Sequence, residues 1–179
     1  SKDLGAVLVS TSEACLHPQS HSPKFERTYS LLGFMGLLPF ALSTMLVVFS
    51  LVDTGNANSS TFLGFYVPYV FITYSACILC FLAGTLWRGQ FDSGQDGSKL
   101  LLVSNLLALL SWLCLLVIHI SHYLVLTAII ILGAGYVVAL VAEKISPSVS
   151  SHYFAIRSRL TLSVIALHIT LLISLLWSI

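Results

Sequence analysis

Charge is scarce in this chain. Eight Lys or Arg and seven Asp or Glu make up 8% of 179 residues, where a soluble domain usually carries about a quarter. A water-facing globular surface is therefore excluded. The net charge of +1, with no clustered basic face, also excludes a phosphate-backbone partner, so no nucleic acid is expected. Cysteine is sparse too: of four, Cys15 and Cys114 have no spacing partner, which argues against a disulfide framework. There is no Ser-His-Asp set, no paired-carboxylate site and no phosphate-cradling glycine loop. The expectation is a non-enzyme without catalytic residues, cofactor or metal.

What fills the sequence is apolar side chain, 57% of it. Five runs are long enough to cross a hydrocarbon core as helices, which takes about 20 residues each. They are Tyr29 to Val52, Phe62 to Trp87, Leu100 to Ile118, Tyr123 to Ala142 and Leu160 to Trp177. Lipid offers backbone groups no partner, and runs this continuous do not alternate as barrel strands do. The predicted fold is all-α, a polytopic membrane bundle of five transmembrane helices.

The few basic residues then orient it. Lys2, Lys24 and Arg27 precede the first run, Arg88 and Lys99 separate the second and third, and Lys144, Arg157 and Arg159 separate the fourth and fifth. All fall on one face, which the positive-inside rule assigns to the cytoplasm or its organellar equivalent. The N-terminus is predicted inside and the C-terminus outside. Residues 1–28 read as a partly disordered cytoplasmic or matrix-side tail without the features of a signal peptide, and 29–179 as a single transmembrane domain. The outer loop DTGNANSS carries Asn58-Ser59-Ser60, a glycosylation acceptor pattern that is common by chance.

Cys77 and Cys80 pose a choice. As a redox pair they would need an exposed helix start that stabilises a thiolate, but they stand mid-run among Ile, Leu and Phe. The preferred reading is packing: Ala76, Cys80 and Gly84 recur every fourth residue as a row of small side chains that lets another helix approach. Redox chemistry and metal binding are the competing readings.

These residues also carry a resemblance. The stretch YSACILCFLAGTLW, Tyr74 to Trp87, resembles the signature Y-[SG]-A-x-[IL]-L-[SC]-F-L-[AG]-G-x-x-W of a family of small multi-pass membrane proteins of unknown function (domain of unknown function 3429), found in bacteria and mitochondria. GFMGLLPF, Gly33 to Phe40, is similar to that family's first helix, and YFAIRSRLT, Tyr153 to Thr161, to its run into the last. The resemblance spans Leu31 to Leu172 and departs at Cys80, where serine is usual, and Ala83, where glycine is usual. It implies a fold and a membrane address, the bacterial or mitochondrial inner membrane, but no reaction. Arg157 is the residue carried over from the motif.

Other candidates each have a plain reading beside the sharp one. Pro39, with Gly33 and Gly36, marks either a close helix crossing or a kink lining a cavity. Pro68 is expected to turn the chain into the second helix. His168, near the bilayer centre, is either a satisfied hydrogen-bonding residue or a functional intramembrane group. His119 and His122 could offer two ligands, too few for a metal. Arg157 and Arg159, with Arg88, either orient the protein or bind an anionic lipid headgroup. The leading expectation is a structural or accessory component of a larger complex in an energy-transducing membrane, with the bilayer and other membrane proteins as partners. The alternative is a small transporter or lipid-handling permease.

Overall fold

Backbone amides and carbonyls in hydrocarbon have only one another for partners, so apolar runs settle as helices. The computed structural model describes residues 30–87, 94–121, 123–145 and 151–178. Among them are five helices long and apolar enough to cross a membrane. The chain divides into two compact units, Ser1–Leu32 and Gly33–Ile179. Of the first, residues 30–32 are described and are helical; the N-terminal tail lies outside the described residues.

The helices are α1 (Leu38–Thr54), α2 (Val67–Thr85), α3 (Gly94–Ile120), α4 (Leu124–Ile145) and α5 (Ser151–Leu176). Residues 30–35 are also helical and lead into α1 through a turn at Gly36 and Leu37. Pro39, in the first turn of α1, explains that break, because its ring cannot continue the preceding helix. Each helix packs on its sequence neighbours, α5 closes the ring against α1, and α2 touches α4 across the middle. Thus α2 and α4 are the most enclosed members.

Between α1 and α2 the chain makes a 3-10 turn, Ala57–Ser59, and a short antiparallel hairpin of β1 (Thr61–Phe62) and β2 (Phe65–Tyr66). This corrects the second predicted span. It starts at Val67 rather than Phe62, because the turn at Leu63 and Gly64 makes a ribbon of the apolar residues before Pro68. The last span is corrected more strongly: α5 begins at Ser151, so Arg157 and Arg159 lie within the helix rather than before it. α3 and α4 likewise run past the apolar stretches, through Lys99 at one end and Glu143 and Lys144 at the other. Polar residues at a span end continue the helix out of the hydrocarbon, and an apolar-run reading stops short of them.

Two helices carry a strict alternation of four- and three-residue steps on their buried side. In α3 it is Leu100, Ser104, Leu107, Ser111, Cys114 and Ile118; in α5 it is Arg157, Thr161, Val164, His168, Leu171 and Leu175. That period holds one stripe against a neighbour along the whole helix, as in a coiled coil. The stripe of α5 contains Arg157, Thr161 and His168, while Leu162, Ile169 and Ile173 face outward. The largely apolar core thus encloses a few polar side chains, and the outer surface of the spans presents large apolar ones, as lipid as solvent favours.

Small residues admit the closest approach. A Cβ placed on Gly135 of α4 would stand 2.6 Å from Cδ2 of the fully buried Leu79, whereas one on Gly133 would meet only ordinary contacts with His168 at 3.8 Å. Gly135→Ala is expected to destabilise the bundle by about 1–3 kcal/mol through overpacking. Gly133→Ala should leave stability nearly unchanged; denaturant titration of the two variants in micelles checks the contrast.

Candidate functional site

The polar residues inside the bundle collect in two tiers on the same three helices. The deeper tier joins Ser75 of α2, Tyr136 of α4 and His168 of α5. Nδ1 of His168 lies 2.8 Å from the carbonyl of Val164, one turn back. A carbonyl only accepts, so Nδ1 carries the proton of the neutral ring and Nε2 is left as an acceptor. Nε2 stands 2.9 Å from Ser75 Oγ, whose hydroxyl therefore donates to it. The Tyr136 hydroxyl donates to the backbone carbonyl of Ser75 at 2.9 Å. One residue of α2 is thereby tied to both α4 and α5.

Aromatic rings enclose the imidazole. Phe71 meets it edge to face at 4.7 Å between centroids, with Tyr136 at 5.4 Å and Phe40 of α1 at 5.9 Å. Phe40 also packs edge-on to Tyr74, whose hydroxyl donates to the carbonyl of Gly36 at 3.0 Å. The turn created by Pro39 is thus fixed to α2 by a hydrogen bond. On its other side His168 lines an apolar groove of about 250 Å³ between α4 and α5, with Gly133, Ala134 and Ile165 in its wall.

The second tier lies at the rim that carries the described basic residues. Nε of Arg157 stands 2.9 Å from Oε2 of Glu143, and both side chains are buried. Nη2 of Arg157 donates to Thr85 Oγ1 at 3.3 Å, and that hydroxyl donates to the carbonyl of Leu82 at 2.6 Å. Again α2, α4 and α5 are joined. Close by, Ser104 of α3 accepts from the Trp87 indole at 2.9 Å and donates to the carbonyl of Ala83 at 2.7 Å. At the opposite rim the Tyr66 hydroxyl donates to Asn58 Oδ1 at 3.1 Å, and burial, with Tyr69 alongside, pushes its pKa up to about 12. The asparagine of the acceptor pattern, in the middle of the 3-10 turn, is therefore held by a tyrosine of β2.

Several expected site residues are redistributed. Arg157 turns inward to Glu143 rather than presenting its guanidinium to a headgroup; Arg159 is exposed, and Arg88 lies outside the described residues. The row of small residues on α2 divides: Ala76 is buried in the bundle, Cys80 is exposed but directs its thiol at the Ala108 carbonyl of α3 at 3.9 Å, and Gly84 faces outward with nothing near its Cβ position. The reason is registration, since the buried side of α2 runs through Ile72, Ser75, Ala76, Leu79 and Ala83. Cys77 and Cys80 are free thiols on the exposed side. Gly33 does lie at a close crossing, where a Cβ would stand 2.6 Å from Cδ1 of Leu160. His119 bonds the carbonyl of Leu115, and His122 lies outside the described residues. Among the described residues no group of three His, Cys, Asp or Glu could hold a metal.

Sequence reasoning found His168 but missed Ser75, Tyr136, Glu143 and the aromatic box. The seven-residue spacing of Arg157, Val164 and Leu171, interleaved with Thr161, His168 and Leu175, was the available signal for the inward face of α5.

Five helices long and apolar enough to cross a membrane define an integral, polytopic membrane protein. The sequence profile of a family described as protein of unknown function (DUF3429) matches residues 25–173, and the chain belongs to that family. No curated protein and no solved structure matches it.

Proposed function

We propose that the protein is a non-catalytic structural or accessory component of a larger complex in an energy-transducing membrane, the bacterial or mitochondrial inner membrane, with its N-terminus inside. One observation carries this reading: the buried polar side chains of α2, α4 and α5 meet one another across the helices. His168, Ser75 and Tyr136 use one another's hydrogen-bonding groups, Arg157 meets Glu143 and Thr85, and apolar side chains are left to face outward. Such a bundle is a fixed body that other helices can pack against, and the outward Gly84 leaves room for one. Extraction from native membrane in a mild detergent should recover the protein in a large particle with constant partners. A lone monomer in every mild detergent would overturn the proposal.

The α4–α5 groove beside His168 favours a second reading, a small transporter or lipid-handling permease. Flux or lipid flipping by purified protein in liposomes, abolished by His168→Ala or Arg157→Ala, would establish it in place of the first. Exposed Arg159 keeps a role for an anionic lipid headgroup open to the same liposome assay.

A further inference from the structure

The hairpin between α1 and α2 has two unlike faces. Thr61 pairs with Tyr66, and Phe62 with Phe65, so the two phenylalanines are cross-strand neighbours on one face. The Tyr66 end is anchored: its ring meets Tyr69 edge-on at 5.0 Å, its hydroxyl bonds Asn58, and the amide of Val67 bonds the carbonyl of Ser60 at 3.1 Å. The phenylalanine face is not covered by the bundle. Phe62 is 51% exposed, Phe65 66% and Leu63, at the tip, 83%.

The turn sharpens the question. Leu63 at φ 51° and Gly64 at φ 81° are both in the positive region that a tight two-residue hairpin turn requires. Glycine takes such angles freely, and asparagine or aspartate is the usual choice for the first position in water. Leucine is strained there and puts a bare apolar side chain at the tip. No residue between Asp53 and Arg88 is charged, and none of the tip residues Phe62 to Phe65 carries a polar side chain that would suit a finger standing in water.

The position of the hairpin supplies the answer. β2 runs into α2 without a linker, and α1 ends at Thr54, so the ribbon stands where two spans leave the hydrocarbon. The Ser178 hydroxyl, at the end of α5, accepts from the Ala57 amide at 2.8 Å, and Tyr69 bonds the carbonyl of Ile118 near the end of α3. Trp177 and Tyr123, 80% and 89% exposed, stand at the ends that meet this rim. Exposed tryptophan and tyrosine mark the boundary between headgroups and acyl chains. The apolar face of the hairpin is thus continuous with the lipid-facing surface of the spans.

We propose that the Thr61–Tyr66 hairpin is a membrane-anchoring finger whose Phe62, Leu63 and Phe65 insert into the headgroup–acyl boundary of the leaflet at this rim. Leucine at the strained position is then explained, because the tip is read by lipid rather than by water.

Site-directed spin labelling tests this on the full chain in phosphatidylcholine–phosphatidylglycerol nanodiscs. With Cys15, Cys77, Cys80 and Cys114 replaced by alanine, a nitroxide is placed through Leu63→Cys or, separately, Phe65→Cys. Collisions with dissolved oxygen should exceed those with a water-soluble nickel chelate at both sites, and a label through Asn56→Cys should show the reverse. Preference for nickel at positions 63 and 65 would overturn the proposal. So would an immobilised label shielded from both reagents, or dipolar broadening from a second copy, because either places the finger on protein. Leu63→Asn, which suits the turn, should take away the oxygen preference of a label at position 65; an unchanged ratio would also count against insertion. The Phe65→Cys measurement stands alone if Leu63→Cys does not fold.

Discussion

Arg157→Met alone is expected to destabilise the bundle by about 3–5 kcal/mol, because it leaves the Glu143 carboxylate buried without its counter-charge. Glu143→Leu should cost a similar amount for the converse reason. The double variant should recover most of the loss, since a well-packed apolar pair removes both desolvation penalties at once. The 2.9 Å contact and the burial of both side chains put this pair where that logic applies, unlike an exposed ion pair worth about 0–1 kcal/mol. Reversible unfolding by denaturing detergent, run as a double-mutant cycle, measures the coupling. Additive single losses would show the two residues to be independent.

His168→Ala is expected to lose about 2–5 kcal/mol in the same assay. The interhelical hydrogen bond to Ser75 accounts for about 0.6 kcal/mol, a typical value when the unfolded helices remain in lipid. The contacts with Phe71, Tyr136 and Phe40 add roughly 0.5–1.5 kcal/mol each. His168→Leu forfeits the ring contacts too but leaves no large cavity, and the Ser75 hydroxyl can turn back to the carbonyl of Phe71 four residues earlier, so its loss should fall at the low end of that range. If leucine proves as damaging as alanine, the imidazole is valued for its polarity and the packing account fails.

The number and type of helices were legible because lipid makes one demand everywhere: satisfy the backbone locally and cover it with apolar side chains. Uncharged runs of about 20 residues leave little other choice. The helix ends were harder to read. Arg157 looked like a loop charge by composition and Glu143 drew no reading at all, yet each is buried, and only the partner makes that burial tolerable. A pairing between residues on different helices is invisible in either stretch alone.

The face of each helix was harder still. In water an apolar stripe marks the inside, but here both sides of α2 are apolar and the packed side is chosen by the fit of Ser75, Ala76 and Ala83. The row Ala76, Cys80 and Gly84 had equally good spacing, but registration divides it: Ala76 is buried, Cys80 meets α3 at its edge and Gly84 is left outside. His168 stood out because an imidazole among leucines and isoleucines needs a partner; Ser75 and Tyr136 are ordinary membrane residues until the fold sets them beside it. The hairpin was read as the start of a span because Phe62, Leu63 and Phe65 have the composition of one, and only the positive φ angles at Leu63 and Gly64 make them a ribbon.

Both polar tiers draw on α5, which is synthesised after α2 and α4. Until it enters the bilayer, Ser75 lacks the ring it donates to and Glu143 sits in lipid without its cation. Helices α1 to α4 without α5 therefore hold two open polar sockets, and insertion of α5 closes both. A nascent chain cut short before Ser151 would carry those sockets unfilled, a mark by which a membrane protease can tell it from a chain that includes α5.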